Sequence, residues 1–278
     1  MKEKTKKIWG NIYHYSGSKF IVRKFVPEDK KTLPTGFIWL MGIYIAIFGV
    51  ASNRYENRID IIENRANAIF AQLATGNYDK AFNRIATVQN MRCPIKPEIF
   101  KPQTVVGSLF KNRKYDEIVV LLRNTLEDWK HELEYTKLLL ADLQGADLTS
   151  AKMKGAFLIM ADMFGANLEG ADLERAMLTE ANFHMAHLAG VNFSYAHLNG
   201  ANFQEAELFG ANLMNADVKD ANFQKTSLVG TNLKNSKGLT IEQLCSAYTL
   251  WRVELDQEFY NQVKAQCPEL LERPNTKK

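Results

Sequence analysis

The sequence predicts a mainly β chain built around a square coil of very short strands. A membrane-crossing helix and an α-helical domain precede the coil, and capping helices follow it. Three observations carry this. A five-residue phrase repeats without loss of phase from Ala141 to Asn235. Within it, Phe183, Phe203 and Phe223 recur once every four pentads, as do Asn182, Asn202, Asn222 and, independently, Asn192, Asn212, Asn232. Ahead of it, residues 32–53 contain no charged side chain.

The repeat runs ADLQG ADLTS AKMKG AFLIM and onward for about 19 pentads. Each pentad centres on a large apolar residue: Leu143, Leu148, Met153, Leu158, and so to Phe223, Leu228 and Leu233. Two positions before each centre sits a small residue, Ala in most pentads, Val191 once, and Thr226 and Thr231 near the end. A period of five fits neither regular element. On a helix the centres would drift by roughly 140° per pentad, and on a strand they would flip faces each time. All can point inward only if the backbone turns after every pentad. The second period of four pentads makes the coil four-sided, with equivalent residues stacked at about 4.8 Å. The repeat then makes under five coils, a rod on the order of 23 Å long.

The phrase A(D/N)LXX in tandem resembles the pentapeptide-repeat family across all of 141–235. The resemblance implies a right-handed quadrilateral β-helix, and it implies no shared activity, because members present different surfaces on one scaffold. The stretches IENRANAIFAQLATG and GLTIEQLCSAYTLW are similar to parts of a membrane-anchored bacterial subtype with one transmembrane helix.

The composition is that of an ordinary folded protein, 46% hydrophobic and 24% charged with a net charge of +4, but the charge is uneven. Residues 1–34 form a basic, aromatic-interleaved tail suited to the anionic cytoplasmic face of a membrane. Residues 35–53 are expected to cross the bilayer once, since about 20 uncharged residues suffice. Lys19, Arg23, Lys24, Lys30 and Lys31 outnumber the bases just after the segment, which places the N-terminus in the cytoplasm and the rest across the inner membrane. With the rod on that side, Cys245 and Cys267 could pair as a disulfide.

Residues 54–135 read as an α-helical stalk and N-terminal cap. Tyr55, Ile59, Ile62, Ala66, Ile69 and Leu73 alternate at spacings of four and three, the seam of a short coiled coil through which copies of the chain could associate. The same stripe could instead pack on the next helix, Tyr78 to Gln89. CPIKPEIFKP has too many prolines for a helix or inner strand. A helix from Tyr115 puts Ile118, Leu122, Leu126, Trp129 and Leu133 on one face and leads into the coil (136–237), whose open end needs a cap. Residues 238–278 close the other end, starting with a capping box at Thr240 and Gln243.

No sequence pattern for nucleotide, acyl-transfer or zinc chemistry is present, so neither catalysis, cofactor nor metal is expected. His184, His187 and His197 fall on different sides of the coil. The outward positions point to binding instead: Phe157, Ile159, Met160 and Met177 put apolar side chains in slots that face out, forming a patch for the chain's own helices or for a protein partner. The expected function is a membrane-anchored interaction scaffold. The alternatives are a gyrase protector that imitates duplex DNA, as in some family members, or an accessory subunit of a transporter or sensor. A basic tail joined to a mildly acidic rod does not suit direct nucleic-acid binding.

Overall fold

In the computed structural model, residues 35–274 are described, with side chains of the first helix from Trp39 onward. The basic tail 1–34 lies outside the described residues. The chain divides into two compact units, residues 35–61 with 92–113, and residues 62–91 with 114–274.

Helix α1 (Thr35–Ala74) is one uninterrupted helix of 40 residues, so the expected membrane helix and stalk are a single element. Among the described residues no helix is long and apolar enough to cross a membrane. The uncharged part of the helix runs from Thr35 to Asn53, and Arg54 ends it. That is about 28 Å of helix, against roughly 30 Å of hydrocarbon. The expected membrane helix over 35–53 is therefore not found among the described residues.

The expected oligomer seam also ends differently. Ile62, Ala66 and Ile69 are 0–1% exposed within one chain, and Ile59 and Leu73 are buried too; Tyr55 alone stays half-exposed. A four-three apolar stripe serves an intramolecular helix face as well as a coiled coil. A turn at Thr75–Asn77 leads into α2 (Tyr78–Gln89), which buries Ala81, Phe82, Ile85 and Val88. A second copy could reach Ile62 or Ile69 only by opening this packing.

The first unit adds β1 (Arg92–Pro94), α3 (Pro102–Phe110) and β2 (Asn112–Lys114), with β1 paired to β2. In the second unit α4 (Asp116–Asp128) buries Ile118, Leu122 and Leu126 and leads through a short 3-10 turn into the coil.

The coil obeys the pentad throughout. Parallel bridges join residues 20 apart, from Lys137 with Phe157 to Asp217 with Lys237. Each pentad closes in a four-residue turn, as in the bond from Ala161 N to Leu158 O at 3.0 Å. Every fifth residue from Tyr135 to Asn235 has positive φ, as the third position of a type II turn requires. Glycine is obligatory at few of them. At Gly155 a Cβ would stand 2.4 Å from the Tyr135 ring, so the position is closed to larger residues for two reasons. The small slot lies fully buried inside the corner, which explains its alanines. Thr226 and Thr231 are admitted because each hydroxyl donates to a carbonyl of the coil above, Phe203 O at 2.7 Å and Leu208 O at 2.8 Å.

Both ends extend past the readable repeat. Leu133 and Leu138 already occupy inward centres. After Lys237, α5 (Ile241–Cys245) replaces part of a coil, and two more sides then form, Ser227 bridging Thr249 and Asn232 bridging Glu254. The capping box at Thr240 and Gln243 is present, and the Gln243 amide also donates to Val218 O and Ala221 O. Helix α6 (Gln257–Gln266) and a 3-10 turn finish the cap, with Cys245 bonded to Cys267.

Candidate interaction site

The top of the coil would leave unpaired amides on all four sides, because no earlier coil accepts from them. Helical side chains and one carbonyl take that place. Lys137 N donates to Asn83 Oδ1 at 3.0 Å, Asp142 N to Gln89 Oε1 at 3.1 Å, Asp147 N to Glu127 Oε1 at 2.9 Å, and Lys152 N to Lys130 O at 2.8 Å. The cap is therefore shared between α2 and α4, whereas the sequence reading gave it to α4.

Asp142 fastens this junction. Its carboxylate is nearly buried and receives Lys114 Nζ and Arg123 Nη2, each at 2.9 Å. Burial alone would raise its pKa, but the two cations outweigh that and hold the carboxyl below the ordinary range. A depressed folded-state pKa gives stability that is complete above the unfolded value of about 3.9 and lost as pH falls through the folded value. Asp142→Asn is expected to cost about 1–3 kcal/mol at neutral pH, since charged hydrogen bonds are lost beside a part-exposed lysine. The difference from the parent chain should shrink as pH falls below the ordinary carboxylate range, which urea unfolding at neutral and at acid pH would reveal.

One face of the rod carries the column Lys137, Phe157, Met177, His197, Asp217, Lys237, each bridged to the next. Its upper part forms a mainly apolar groove of about 490 Å³ beside α2, where Asn83, Ala86, Thr87 and Asn90 face Leu139, Leu140, Phe157 and Ile159. The structure thus brings Phe157 and Ile159 together, half-buried, and puts Met177 on the next rung; Met160, 48% exposed, turns the corner at φ 55°. Helix α2 lines the patch without closing it. Leu139 and Leu140 were missed, though the run of three leucines at 138–140 was a visible signal. Lower down, Arg175, Tyr195, His197, Asn215, Asp217 and Lys237 line a polar groove of about 350 Å³, with Arg175 5.7 Å from the Tyr195 ring centre.

Two other sides are occupied by ladders of their own. Asn182 donates to Asp162, Asn202 to Asn182 and Asn222 to Asn202, and a parallel series joins Asp172, Asn192 and Asn212. Most of these side chains also accept the amide two residues on, so their polar atoms are engaged in the coil itself. Glu174, Glu205 and Glu254 pair with Lys154, Lys225 and Lys234 on adjacent coils. His184 holds Gln204 O and His187 holds Glu207, on separate sides. Among the described residues no group of three His, Cys, Asp or Glu side chains could hold a metal ion.

Residues 132–163, 158–194 and 186–224 match the family model for pentapeptide repeats, with 8 copies in all. The matched residues, about a third of the chain, are those of the four-sided coil. Among solved structures, the chain is similar to a pentapeptide repeat protein from the Arabidopsis thaliana thylakoid lumen, at 27% identity over 42% of this chain and 79% of that one, TM-score 0.27. A pentapeptide repeat protein from Nostoc Pcc 7120 is 28% identical over 38% and 84%, TM-score 0.33. QnrB1, a plasmid-mediated fluoroquinolone resistance protein, is 17% identical over 48% and 84%, TM-score 0.30. No curated protein matches the sequence.

Proposed function

We propose that the chain is a non-enzymatic, membrane-anchored scaffold that presents its pentapeptide-repeat rod to a protein partner through the Phe157–Met177 face. The observation that supports this is the contrast between faces. Asn ladders engage their polar groups with one another, whereas the Lys137-to-Lys237 column leaves an apolar groove open above and a polar one below. A surface that changes from apolar to charged along its length can orient a partner as well as hold it.

Anchoring rests on α1, where Trp39 and Leu40 are 71% and 67% exposed and Ile43 and Val50 also face outward. Such a stretch is better solvated by lipid than by water. The bonded Cys245–Cys267 pair suits a rod outside the cytoplasm, with the N-terminus inside. Any homo-oligomer would form through residues other than the buried Ile62 and Ile69. The alternation of lysines with acids on neighbouring coils favours this reading over imitation of duplex DNA, which needs dense negative charge.

Phe157→Asp with Met177→Lys is the test. Both side chains point outward, so the melting temperature should move by no more than about 4 °C. In-cell crosslinking should lose the product seen with the parent chain, while Lys234→Ala, on another face, keeps it. Retention of the product by the double variant would move the binding face elsewhere.

A further inference from the structure

We infer that residues 99–110 are a second bilayer-contacting element, paired with α1, so that the protein meets lipid through Trp39, Leu40, Ile43, Phe100, Val106 and Phe110 together. The inference rests on the membrane-anchoring reading and adds an element that the hydropathy of the sequence hides.

Hydrogen bonds fix the register of the two segments inside the first unit. Tyr44 Oη donates to Ile99 O at 2.7 Å, Ser108 Oγ donates to Ala51 O at 3.3 Å, and Arg54 donates to Ser108 O at 2.7 Å and to Leu109 O. The segment therefore runs alongside α1 from the level of Tyr44 to that of Arg54. Whatever medium solvates the exposed apolar side chains of α1 over this stretch also meets the segment beside it.

The segment is fit for that medium. Helix α3 is nine residues, PQTVVGSLF, with no charge, and Phe110 is 80% exposed, with Phe100 and Val106 also exposed. An element entering hydrocarbon must satisfy its backbone polar groups internally. Here Arg54 takes the C-terminal carbonyls of α3, Tyr44 takes Ile99 O, and the Thr104 hydroxyl accepts from Glu98 N and donates to Lys101 O. Pro102 starts the helix where an amide would have no partner anyway.

Charge complementarity names lipid as the occupant. Arg92, Lys111 and Arg113 gather at the Arg54 end of the uncharged stretch, whereas at the Tyr44 end Lys101 is paired with the one acid, Glu98, at 2.7 Å. A cationic end above an apolar stretch matches anionic headgroups above acyl chains. Nine helical residues rise only about 14 Å, so the segment enters one leaflet and does not cross.

The full chain, reconstituted in phosphatidylcholine–phosphatidylglycerol vesicles carrying nitroxide lipids, tests this. An environment-sensitive fluorophore is placed singly through Val106→Cys, Phe110→Cys, Trp39→Cys or, on the rod, Gln224→Cys. Cys93 is buried and the other two cysteines are bonded, so the introduced thiol takes the label. Quenching at positions 106 and 110 should exceed that at 224 at least threefold and approach that at 39. Quenching at 39 with none at 106 and 110 would overturn the inference and leave α1 as the anchor. No quenching at 39, 106 or 110 would overturn the anchoring reading as well. A blue-shifted but unquenched label at 110 would mean that protein, from a partner or a second copy, covers the segment, and would also overturn it.

Discussion

Phe203→Ala is expected to lower the stability of the rod by about 3–5 kcal/mol, the usual range for emptying a buried aromatic site. Phe203 is fully buried at the middle of a stack. Its ring lies 5.0 Å from Phe183 at 2° and 5.3 Å from Phe223 at 10°, with Phe193 edge-on at 5.9 Å. The backbone around it cannot collapse, because every rung is tied by hydrogen bonds to the coils on either side. The cavity therefore persists, and cavities that persist give the large values. Phe203→Leu should cost about 1–2 kcal/mol, since leucine already fills the equivalent slot on other sides. Guanidinium unfolding separates the two variants. In a solenoid each coil holds only its neighbours, so the alanine variant should also unfold in two steps, with the coils above and below the cavity melting separately. A single transition less than about 1 kcal/mol below the parent would show that the coil closes on the gap.

The second large effect is expected at the far end. Replacing Cys245 and Cys267 by Ser opens a loop of 22 residues, which chain entropy values at about 3 kcal/mol. The loop starts at the last residue of α5 and holds α6 and the two extra sides centred on Leu250 and Leu255. Because coupling along the rod is local, the loss should appear as fraying of this end. Hydrogen exchange at 247–255 should quicken by about two orders of magnitude while that at 183–203 is unchanged. Dithiothreitol on the parent chain should reproduce the effect. Unchanged exchange under reduction would mean that packing by Leu244, Leu250 and Val263 holds the cap unaided.

The coil was legible because its period is written in every pentad, and inward leucine, corner alanine and the four-pentad return each have one physical cause. Its ends were less so. Thr136 and His131 stand where alanine would mark the first pentads, which hides Leu133 and Leu138. At the other end α5 inserts two residues, so Leu250 lies 22 positions after Leu228, and Tyr248, an exposed residue, stands two before it where alanine would mark the pentad. The N-terminal cap was hidden more deeply. Asn83, Gln89 and Glu127 are ordinary polar residues in the sequence of their helices, and only the folded arrangement sets their side chains against orphan amides. The stripe in α1 misled for the opposite reason, since its spacing satisfies two folds equally. The Phe157 patch was found from its outward slots, but Asn83 and Thr87 opposite it could not be.

The bridges between residues 20 apart also fix how such a protein can change length. Removing residues 181–200 would bring Asn202 beneath Asp162, another amide-to-carboxylate step, and Phe203 beneath Met163, another inward centre. Every column would continue, and only the reach of the rod would alter. Removing one pentad would instead rotate all that follows by a quarter turn, setting each ladder under its neighbour's column. The rod is thus a ruler graduated in whole coils, and insertions or deletions are neutral to its surface only in that unit.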